Sequence, residues 1–230
     1  MHRTPLAFVS ALPDAITLHA FSIGDDRDIA LQDARSLLSS DEAARADRFH
    51  FDRDRTRYIR ARGQLRRILG KVLMQDPVAV AFDYGPQGKP QLSGDGPEFN
   101  LSHSGDLAVV AISLCGPVGV DVEHVDRKVD ISGLAESCMT ETEQRALAAV
   151  DGPHRAQRFF AFWTAKEARM KLTGAGMSLP PKSISLGLKE GWPVRYELPT
   201  DPVCRLAFVP LMTPASICCV CHLGGDGQPD

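Results

Sequence analysis

Residues 118–125 read Val-Gly-Val-Asp-Val-Glu-His-Val and set two carboxylates into an alternating run. Successive side chains of a β-strand point to opposite faces of its sheet, so the first three valines share one face. Asp121 and Glu123 share the other face, about 6.5 Å apart along the strand. The run therefore predicts a strand with one apolar and one acidic face. A solvent-exposed strand edge would give the same alternation, so solvation alone could also explain the acidic face.

A long helix, predicted from His154 to Thr173, carries a third carboxylate. At about 100° per residue, Glu167 falls inside the apolar stripe of this helix, and Lys166 and Lys171 flank the stripe. The stripe consists of Phe159, Phe160, Trp163 and Met170. The far side of the helix holds Arg158 and Arg169.

The position of Glu167 favours a chemical role over a surface ion pair. A Glu167–Lys171 pair, four residues apart, stabilises a helix by only about 0.2–0.5 kcal/mol. Burying a carboxylate costs more than that unless the carboxylate meets a cation or a metal. We therefore expect Asp121, Glu123 and Glu167 to surround a hard divalent cation. Mg²⁺ is the expected ion, with Mn²⁺ as the alternative, because an all-oxygen site shared with phosphates suits hard cations.

A basic segment lies at residues 45–71 of an otherwise acidic chain. It holds nine arginines and one lysine against three aspartates, although the whole chain has a formal net charge of −3. Arginine is favoured where a planar fork of donors must hold phosphate oxygens. The segment therefore predicts either a phosphate site or a solvated helix face. A sequence pI near 6.2 argues against a broad nucleic-acid footprint and favours a compact polyphosphate ligand.

Two predicted loops in the first half of the chain offer further phosphate donors. The first is Gly88-Lys89-Pro90, in which the proline keeps Lys89 extended. The second is residues 100–105, Asn-Leu-Ser-His-Ser-Gly, which leads into a central strand predicted at Leu107–Leu114. A single lysine or histidine in a loop is more often structural than functional, so these loops count in combination with the other features.

A Gly-Pro pair at residues 116–117 marks a break near the midpoint of the chain. The second half repeats the order of predicted elements in the first half, namely a strand, a short helix, a long helix and further strands. In the first half, the long helix is predicted at Asp54–Met74 and a strand at Val78–Tyr84. We therefore predict an α+β protein of two similar α/β lobes in a pseudo-twofold arrangement, residues 1–116 and residues 117–230. The ligand site is expected between the lobes.

The six cysteines show no regular spacing and are expected as reduced thiols. Cys218, Cys221 and His222 form the C-x-x-C-H string of covalent haem attachment. That string lies in an apolar run, Ile217–Leu223, which predicts a buried strand, and we favour the strand. The apolar run Leu6–Leu12 is broken by a Pro-Asp pair before a signal-peptide core can form. These features predict a cytoplasmic protein.

Four motifs follow one another along the chain. They are Gly88-Lys89-Pro90, Asn100-Leu101-Ser102-His103-Ser104, Gly119-Val120-Asp121-Val122-Glu123 and the helix segment 162–171. The last two have the highly specific forms G-[VI]-D-[VI]-E and W-x-x-K-E-x-x-x-K. In order and spacing, from about residue 41 to residue 188, the chain resembles the 4′-phosphopantetheinyl transferases of the surfactin-synthetase-activating type.

The resemblance implies a monomer of two similar lobes that binds coenzyme A in the cleft between them. It implies transfer of the phosphopantetheine arm to a serine of a carrier protein, with release of adenosine 3′,5′-bisphosphate. The carrier would be an acyl or peptidyl carrier protein of a polyketide, nonribosomal-peptide or fatty-acid synthase, which points to secondary-metabolite biosynthesis without fixing the pathway.

The resemblance also implies a role for each matching residue. Asp121, Glu123 and Glu167 would be the metal ligands, Glu167 would also be the base, and Lys171 would hold the pyrophosphate. Around the coenzyme A nucleotide it implies Lys89, Pro90, Ser102 and His103. The basic segment matches more loosely, and its candidates for coenzyme A contacts are Arg62, Arg45 and Arg55.

Two other functions remain open from the sequence. A noncatalytic coenzyme A or carrier-binding module would be expected to lack one metal carboxylate, and none is missing here. A Mg²⁺-dependent phosphohydrolase would use water and need no carrier. If a carrier protein is the partner, we expect it to dock on the second lobe through mainly apolar contacts near Met139 and Arg145, with modest salt dependence.

Overall fold

The computed structural model of the protein describes residues 11–197, 203–211 and 215–223, so most of the apolar run 6–12 lies outside the described residues. Within them the chain forms six α-helices and ten strands, and the predicted α+β class is confirmed. The helices are α1 (Leu31–Ser36), α2 (Ser40–Asp47), α3 (Asp52–Leu73), α4 (Ile131–Cys138), α5 (Glu141–Ala148) and α6 (Gly152–Thr173). The strands are β1 (Ile16–Ser22), β2 (Phe82–Tyr84), β3 (Pro90–Leu92), β4 (Glu98–Ser104), β5 (Leu107–Ser113), β6 (Val118–His124), β7 (Leu186–Lys189), β8 (Trp192–Tyr196), β9 (Cys204–Val209) and β10 (Ser216–Leu223).

The element order of the first half recurs in the second half. Each half runs through one strand, three helices and four strands, and the third helix has 22 residues in both. The sheets have the orders β1-β5-β4 and β6-β10-β9, so the first strand of each half lies at an edge and the last strand lies in the centre. The prediction of two similar lobes is confirmed. The boundary at residue 116 stays a prediction, because the two sheets share a core.

Four layers arise from the alternation of side chains along the central strands. In β5, Ala108, Val110 and Ile112 pack in the cluster that includes α3, whereas Val109 and Ala111 lie in the cluster between the two sheets. The three valines of β6 enter this intersheet cluster, so the predicted apolar face of the strand is confirmed. The opposite face of the second sheet packs against α6.

A buried glutamate at the start of a short helix pairs with a cation of the long helix in both lobes. Glu42 closes the capping box of α2, and its Oε2 accepts a hydrogen bond from Arg66 Nε at 2.6 Å. Glu143 closes the capping box of α5, and its Oε2 lies 2.8 Å from Lys166 Nζ. All four side chains are buried. The repeat therefore extends from element order to individual buried ion pairs.

The two cations also hold equivalent turns. Arg66 donates to the carbonyl oxygen of Pro77, and Lys166 donates to that of Pro181, each at the start of a 3₁₀ turn. Burial lowers the pKa of Lys166, and the charge of Glu143 opposes this shift. Lys166 therefore joins three chain segments in the core and does not flank an open stripe.

Helix periodicity places Arg158 and Arg169 on the side of α6 opposite the predicted stripe, and both residues are buried in the structure. The helices α4 and α5 also pack on α6. Arg158 Nη1 donates to the carbonyl oxygen of Ala146 on α5 at 2.8 Å. A helix packed on nearly all sides has no single apolar stripe for a periodicity argument to detect.

Two predicted segments in the first lobe differ from the structure. Residues 100–105 were predicted as a loop, but most of them belong to β4, which pairs with β5 over its whole length. Phe99 and Leu101 pack toward α3, so the polar residues between them take the other face. Only the end of the segment 78–84 is a strand, since Asp76 and Pro77 begin a 3₁₀ turn before it.

The C-x-x-C-H string lies in a core strand, as predicted. Cys218, Cys221 and His222 are buried in β10, the central strand of the second sheet, and all six cysteines are free thiols. Burial raises the pKa of the Cys218 thiol. None of the helices in the described ranges is long and apolar enough to span a membrane. The cytoplasmic location stays a prediction.

Candidate active site

The candidate site forms along a seam where β4 of the first sheet runs beside β6, the edge strand of the second sheet. Alternate backbone N–H groups of β6 donate to side chains of β4: Val120 to Asn100 Oδ1 at 2.9 Å, Val122 to Ser102 Oγ at 3.4 Å and His124 to Ser104 Oγ at 3.2 Å. Edge N–H groups need partners when they are buried, and here side chains supply them in place of a strand. The seam fixes the register of the acidic strand against the first lobe.

Asp121 lies at the centre of the seam and is buried. Its Oδ1 accepts hydrogen bonds from Ser102 Oγ at 2.8 Å and from Lys171 Nζ at 2.6 Å, and Lys171 also donates to Ser102 at 2.8 Å. Its Oδ2 is buried and has no hydrogen-bond partner. Burial raises the pKa of Asp121, although the ammonium of Lys171 opposes the shift. One side chain from each of three elements, β4, β6 and α6, therefore meets at this point.

Glu123 is the second carboxylate of the seam. Its Oε2 accepts a hydrogen bond from Ser104 Oγ at 2.6 Å, and its Oε1 accepts one from Arg127 Nη1 at 2.6 Å. Ser102 and Ser104 thus act alike, because each hydroxyl donates to one carboxylate while accepting from the backbone of β6. The predicted pairing of Asp121 and Glu123 on one face is confirmed.

Glu167 is half-buried on α6, four residues before Lys171. Burial raises its pKa, and so do the negative charges of Asp121 and Glu123, while Lys171 opposes them. The three carboxylates are therefore close enough to repel one another. α6 ends just beyond Lys171, where Gly174 adopts a left-handed conformation with φ of 69° that favours glycine.

A close approach of strand and helix sets the distance between these carboxylates. A Cβ atom at Gly119 would lie 2.1 Å from the carbonyl oxygen of Ala168 and 2.4 Å from the backbone nitrogen of Leu172. Only glycine therefore allows β6 to pack this tightly on α6. The glycine that precedes Asp121 is needed to bring that carboxylate to Glu167.

The carboxylates fit a hard divalent cation in their chemistry. Their donors are all oxygen atoms, and the unpartnered Oδ2 of Asp121 is a free ligand position in a buried place. As the side chains stand, no group of three or more His, Cys, Asp or Glu residues among the described residues is arranged to hold a metal. The positive charges nearest to Asp121 and Glu123 are instead Lys171 and Arg127.

The predicted phosphate donors Lys89 and His103 lie on either side of the seam. Lys89 Nζ donates to the carbonyl oxygens of Val118 at 3.2 Å and Leu172 at 3.0 Å, and burial lowers its pKa. Its neighbour Pro90 begins β3. His103 is exposed at its position in β4. Desolvation of its ring by neighbouring protein atoms and the charge of Lys171 both lower its pKa. Lys89 therefore links the two lobes in this structure, while His103 faces outward near Lys171.

The predicted arginines of the basic segment lie apart from the seam. Arg62 is buried, bonds to Glu42 and donates to the hydroxyl of Tyr84 at 2.8 Å. Arg55 pairs with Asp52 at 2.7 Å, and Arg45 is exposed with its guanidinium over the ring of Tyr58. Most other arginines of the segment also bind acidic residues or carbonyls: Arg53 to Asp54, Arg57 to Asp106, Arg60 to Asp26, Arg66 to Glu42 and Arg67 to the carbonyl of Asp28.

Arg127 was not predicted from the sequence, and Asn100 and Ser104 were predicted only as parts of a phosphate-binding loop, without roles of their own. Asn100 and Ser104 belong to an N-x-S-x-S spacing with period two, which indicates a strand face and could have identified them. Of the two residues expected to meet a carrier, Arg145 is exposed, but Met139 is buried and cannot make surface contacts.

Comparison with known proteins places these residues within two matched segments. A model described as the 4′-phosphopantetheinyl transferase superfamily matches residues 117–218, and one described as 4′-phosphopantetheinyl transferase, N-terminal, matches residues 27–115. The chain is 41% identical over 159 residues to the 4′-phosphopantetheinyl transferase HetI of Nostoc sp., covering 67% of both proteins. It is 30% identical over 165 residues to a 4′-phosphopantetheinyl transferase of Bacillus subtilis. It is 29% identical over 166 residues to Sfp of Bacillus subtilis strain 168, and both of these matches cover 71% of the chain and 72% of the relative.

Proposed function

Because this chain belongs to the 4′-phosphopantetheinyl transferase superfamily and is an enzyme of that type, we propose that it transfers the 4′-phosphopantetheine arm of coenzyme A to a serine of an apo-carrier protein. The serine oxygen forms a bond to the phosphorus of the arm, and the bond from that phosphorus to the bridging pyrophosphate oxygen breaks. The leaving group is adenosine 3′,5′-bisphosphate. The observation that carries the proposal is the meeting of Asp121, Lys171 and Glu167 at the seam between the lobes.

Glu167 accepts the serine proton in this proposal. A base must be ionised at working pH but must also bind a proton readily, and a raised carboxyl pKa improves the second property. The pKa of Glu167 is raised by burial and by two neighbouring carboxylates. Glu167 is also half-buried, so it retains access to solvent and to an incoming hydroxyl.

Lys171 holds the pyrophosphate of coenzyme A. The Lys171 side chain is 29% exposed, and its ammonium binds Asp121 and Ser102. A cation fixed by two partners costs little reorganisation when negative charge develops beside it. We assign His103 to the nucleotide phosphates, and its exposure in the same strand as Ser102 supports this assignment.

We propose Asp121, Glu123 and Glu167 as the ligands of Mg²⁺, with Mn²⁺ as a substitute. Bound there, the ion would neutralise charge on the phosphate oxygens during transfer. The unpartnered Oδ2 of Asp121 and the mutual repulsion of the carboxylates support this assignment. Ser102 and Ser104 orient the first two carboxylates toward the seam.

The candidate coenzyme A contacts Arg45, Arg62 and Lys89 differ in how far other residues of the protein already bind them. Arg45 is exposed with its guanidinium over the ring of Tyr58, and this exposure favours it as a phosphate contact. Arg62 is held by Glu42 and Tyr84, so a role in coenzyme A binding requires it to exchange those partners. Lys89 is likewise engaged with two carbonyl oxygens.

Intact-mass spectrometry of several apo-carriers, incubated with the enzyme, coenzyme A and Mg²⁺, tests the proposal. We expect a carrier to gain the mass of the phosphopantetheine arm, with one adenosine 3′,5′-bisphosphate released per arm and no gain on a carrier whose serine is replaced by alanine. Release of the nucleotide without a carrier would indicate a phosphohydrolase. Binding of coenzyme A without release would indicate a noncatalytic module.

Matched variants connect the reaction to the seam. Glu167→Gln keeps the shape of the side chain and removes the base, so we expect transfer to fall by about 100-fold or more. Asp33→Asn, on the exposed surface of α1, makes the equivalent chemical change away from the seam and should transfer normally. Equal activity of both variants would contradict the assignment of Glu167.

A further inference from the structure

A groove of about 410 Å³ lies on the first lobe between β1 and α3. From the strand side it is lined by Leu18, His19, Ala20 and Phe21, and from the helix side by Gln64, Arg67, Ile68, Lys71 and Val72. β1 is one edge of the first sheet, and β4, which carries the seam, is the other edge. The groove is therefore separate from the candidate active site.

The backbone of β1 borders this groove and has hydrogen-bonding groups that pair with none of the described residues. The backbone groups of the odd-numbered residues of β1 bond to β5. The carbonyl oxygen of Ala15 accepts from the N–H of Leu114, and the N–H of Ile23 donates to the carbonyl oxygen of Asp106, in the same ladder. The backbone N–H and carbonyl groups of the even-numbered residues therefore point away from β5. The N–H groups of Ile16 and Ser22 bond to Pro13 and Asp28 respectively.

Leu18 and Ala20 are the two outward-facing residues between these bonded positions. Neither has a hydrogen-bond partner for its outward N–H or carbonyl among the described residues. An exposed row of this kind is a template for a further strand. Gln64 adds a buried acceptor, since it is only 8% exposed and its Oε1 has no partner.

The charges of the groove select for an acidic occupant. Two cations, Arg67 and Lys71, line it, whereas Asp28 is its acidic residue. The carboxylate of Asp28 already accepts the Ser22 N–H at 2.6 Å. His19 and Phe21 lie on the α3 face of β1, and Leu18 lies on the apolar intersheet face. A strand added beside β1 would place one set of side chains toward the cations and the alternate set beside apolar residues.

We propose that this groove binds an extended peptide segment of a partner protein, in which acidic and apolar residues alternate, by adding it as a strand to the edge of β1. Backbone groups of Leu18 and Ala20 form the ladder, and Gln64 Oε1 accepts a donor from the peptide. Arg67 and Lys71 bind the acidic side chains. The interaction leaves the transfer reaction unchanged, because the catalytic seam lies at the opposite edge of the sheet.

Fluorescence anisotropy with the full chain and a labelled seven-residue peptide of alternating glutamate and valine tests this proposal. We expect saturable binding that weakens with salt, at least about tenfold weaker binding of a peptide of alternating lysine and valine, and loss of binding when the backbone amides of the acidic peptide are methylated. Absence of binding, or binding that ignores peptide charge or backbone methylation, would overturn the proposal.

Two variants probe the ladder and the charge separately. Ala20→Pro removes an outward N–H without touching the bonds to β5, and proline is tolerated in edge strands. Lys71→Glu reverses an exposed cation of the groove. We expect each change to weaken peptide binding about tenfold or more, while Lys189→Glu, an equivalent change at the exposed end of β7, has no effect.

Controls for folding and self-association keep these results decisive. A thermal melt shows whether Ala20→Pro is folded, and Lys71→Glu tests the proposal on its own if it is not. Analytical ultracentrifugation of the wild-type chain without peptide detects pairing of two copies. A dimer that disappears in Ala20→Pro would mean that a second copy of the chain occupies the edge, and would overturn the assignment to a partner peptide. Wild-type peptide affinity in both variants would also overturn it.

Discussion

Gly119→Ala should damage stability and catalysis together. The added Cβ would lie 2.1 Å from the carbonyl oxygen of Ala168 and 2.4 Å from the backbone nitrogen of Leu172, whereas Cβ contacts below 3.0 Å are essentially never observed. Both neighbours are backbone atoms of α6, so no rotation of a side chain can relieve the overlap. β6 and α6 must therefore separate by about 1 Å, or the strand must deform.

The size of that overlap gives the expected magnitudes. Overpacking a core costs about 1–3 kcal/mol and more when backbone must move, so we expect a loss of about 3 kcal/mol in the free energy of unfolding. For a chain of this length that corresponds to a fall of about 6–12 °C in Tm. The same separation moves Asp121 away from Glu167, and a displacement of about 1 Å at a reacting site costs about 100-fold in rate.

Differential scanning calorimetry and the carrier mass assay measure the two effects. Gly85→Ala is the matched control, because the nearest atom to its added Cβ is the carbonyl oxygen of Lys89 at 3.7 Å, an ordinary contact. We expect the control to melt close to the wild type. If Gly119→Ala melts together with Gly85→Ala and transfers the arm at the wild-type rate, the close approach of strand and helix does not position the site.

Three further predictions follow from buried charges. Burial raises the pKa of Asp121, so the stability that its protonated form contributes is present at low pH and is lost as the pH rises through that pKa. Calorimetry at neutral pH should therefore show a higher Tm for Asp121→Asn than for the wild type, and this variant should not transfer the arm. In urea unfolding, Glu143→Gln alone and Lys166→Met alone should each lower the free energy of unfolding by about 3–5 kcal/mol, because each leaves one buried charge without its partner. The double variant should recover most of this loss, and losses that simply add would show that the two residues are not coupled. In the metal-free protein, burial and the neighbouring carboxylates raise the pKa of Glu167, so a pH titration of its carboxyl followed by NMR should have a midpoint above the ordinary glutamate value, and a midpoint at or below that value would contradict the repulsion between the carboxylates.

The parts of the fold that depend on local pattern could be predicted from the sequence. The alternation of valines and carboxylates in β6 identified the strand, its apolar face and its acidic face. The long helices were found with small errors at their ends, because proline and glycine mark the start and the end of α6. The repeated order of elements also identified two similar lobes.

Features that depend on contacts between distant residues could not be predicted. The N-x-S-x-S spacing of β4 is compatible with a strand face, but the pairing of its polar side chains with the edge of β6 depends on how the two sheets pack. Helix periodicity places Lys166 beside the apolar stripe, and only the fold of the lobe brings Glu143 to it in the core. Composition likewise could not show that most arginines of the basic segment pair with acidic groups, several of them far along the chain.

The equivalence of β1 and β6 shows how two similar lobes have come to differ. Both strands open a lobe and both form an edge of a three-stranded sheet. In β6, the side chains of Asn100, Ser102 and Ser104 satisfy the edge, and the strand carries Asp121 beside them. In β1, the equivalent edge has no such partner at Leu18 or Ala20 among the described residues, and the strand carries no carboxylate. Equivalent edges are thus used differently: closing one with polar side chains builds a site for chemistry, and leaving the other open retains a surface that can pair with a further strand.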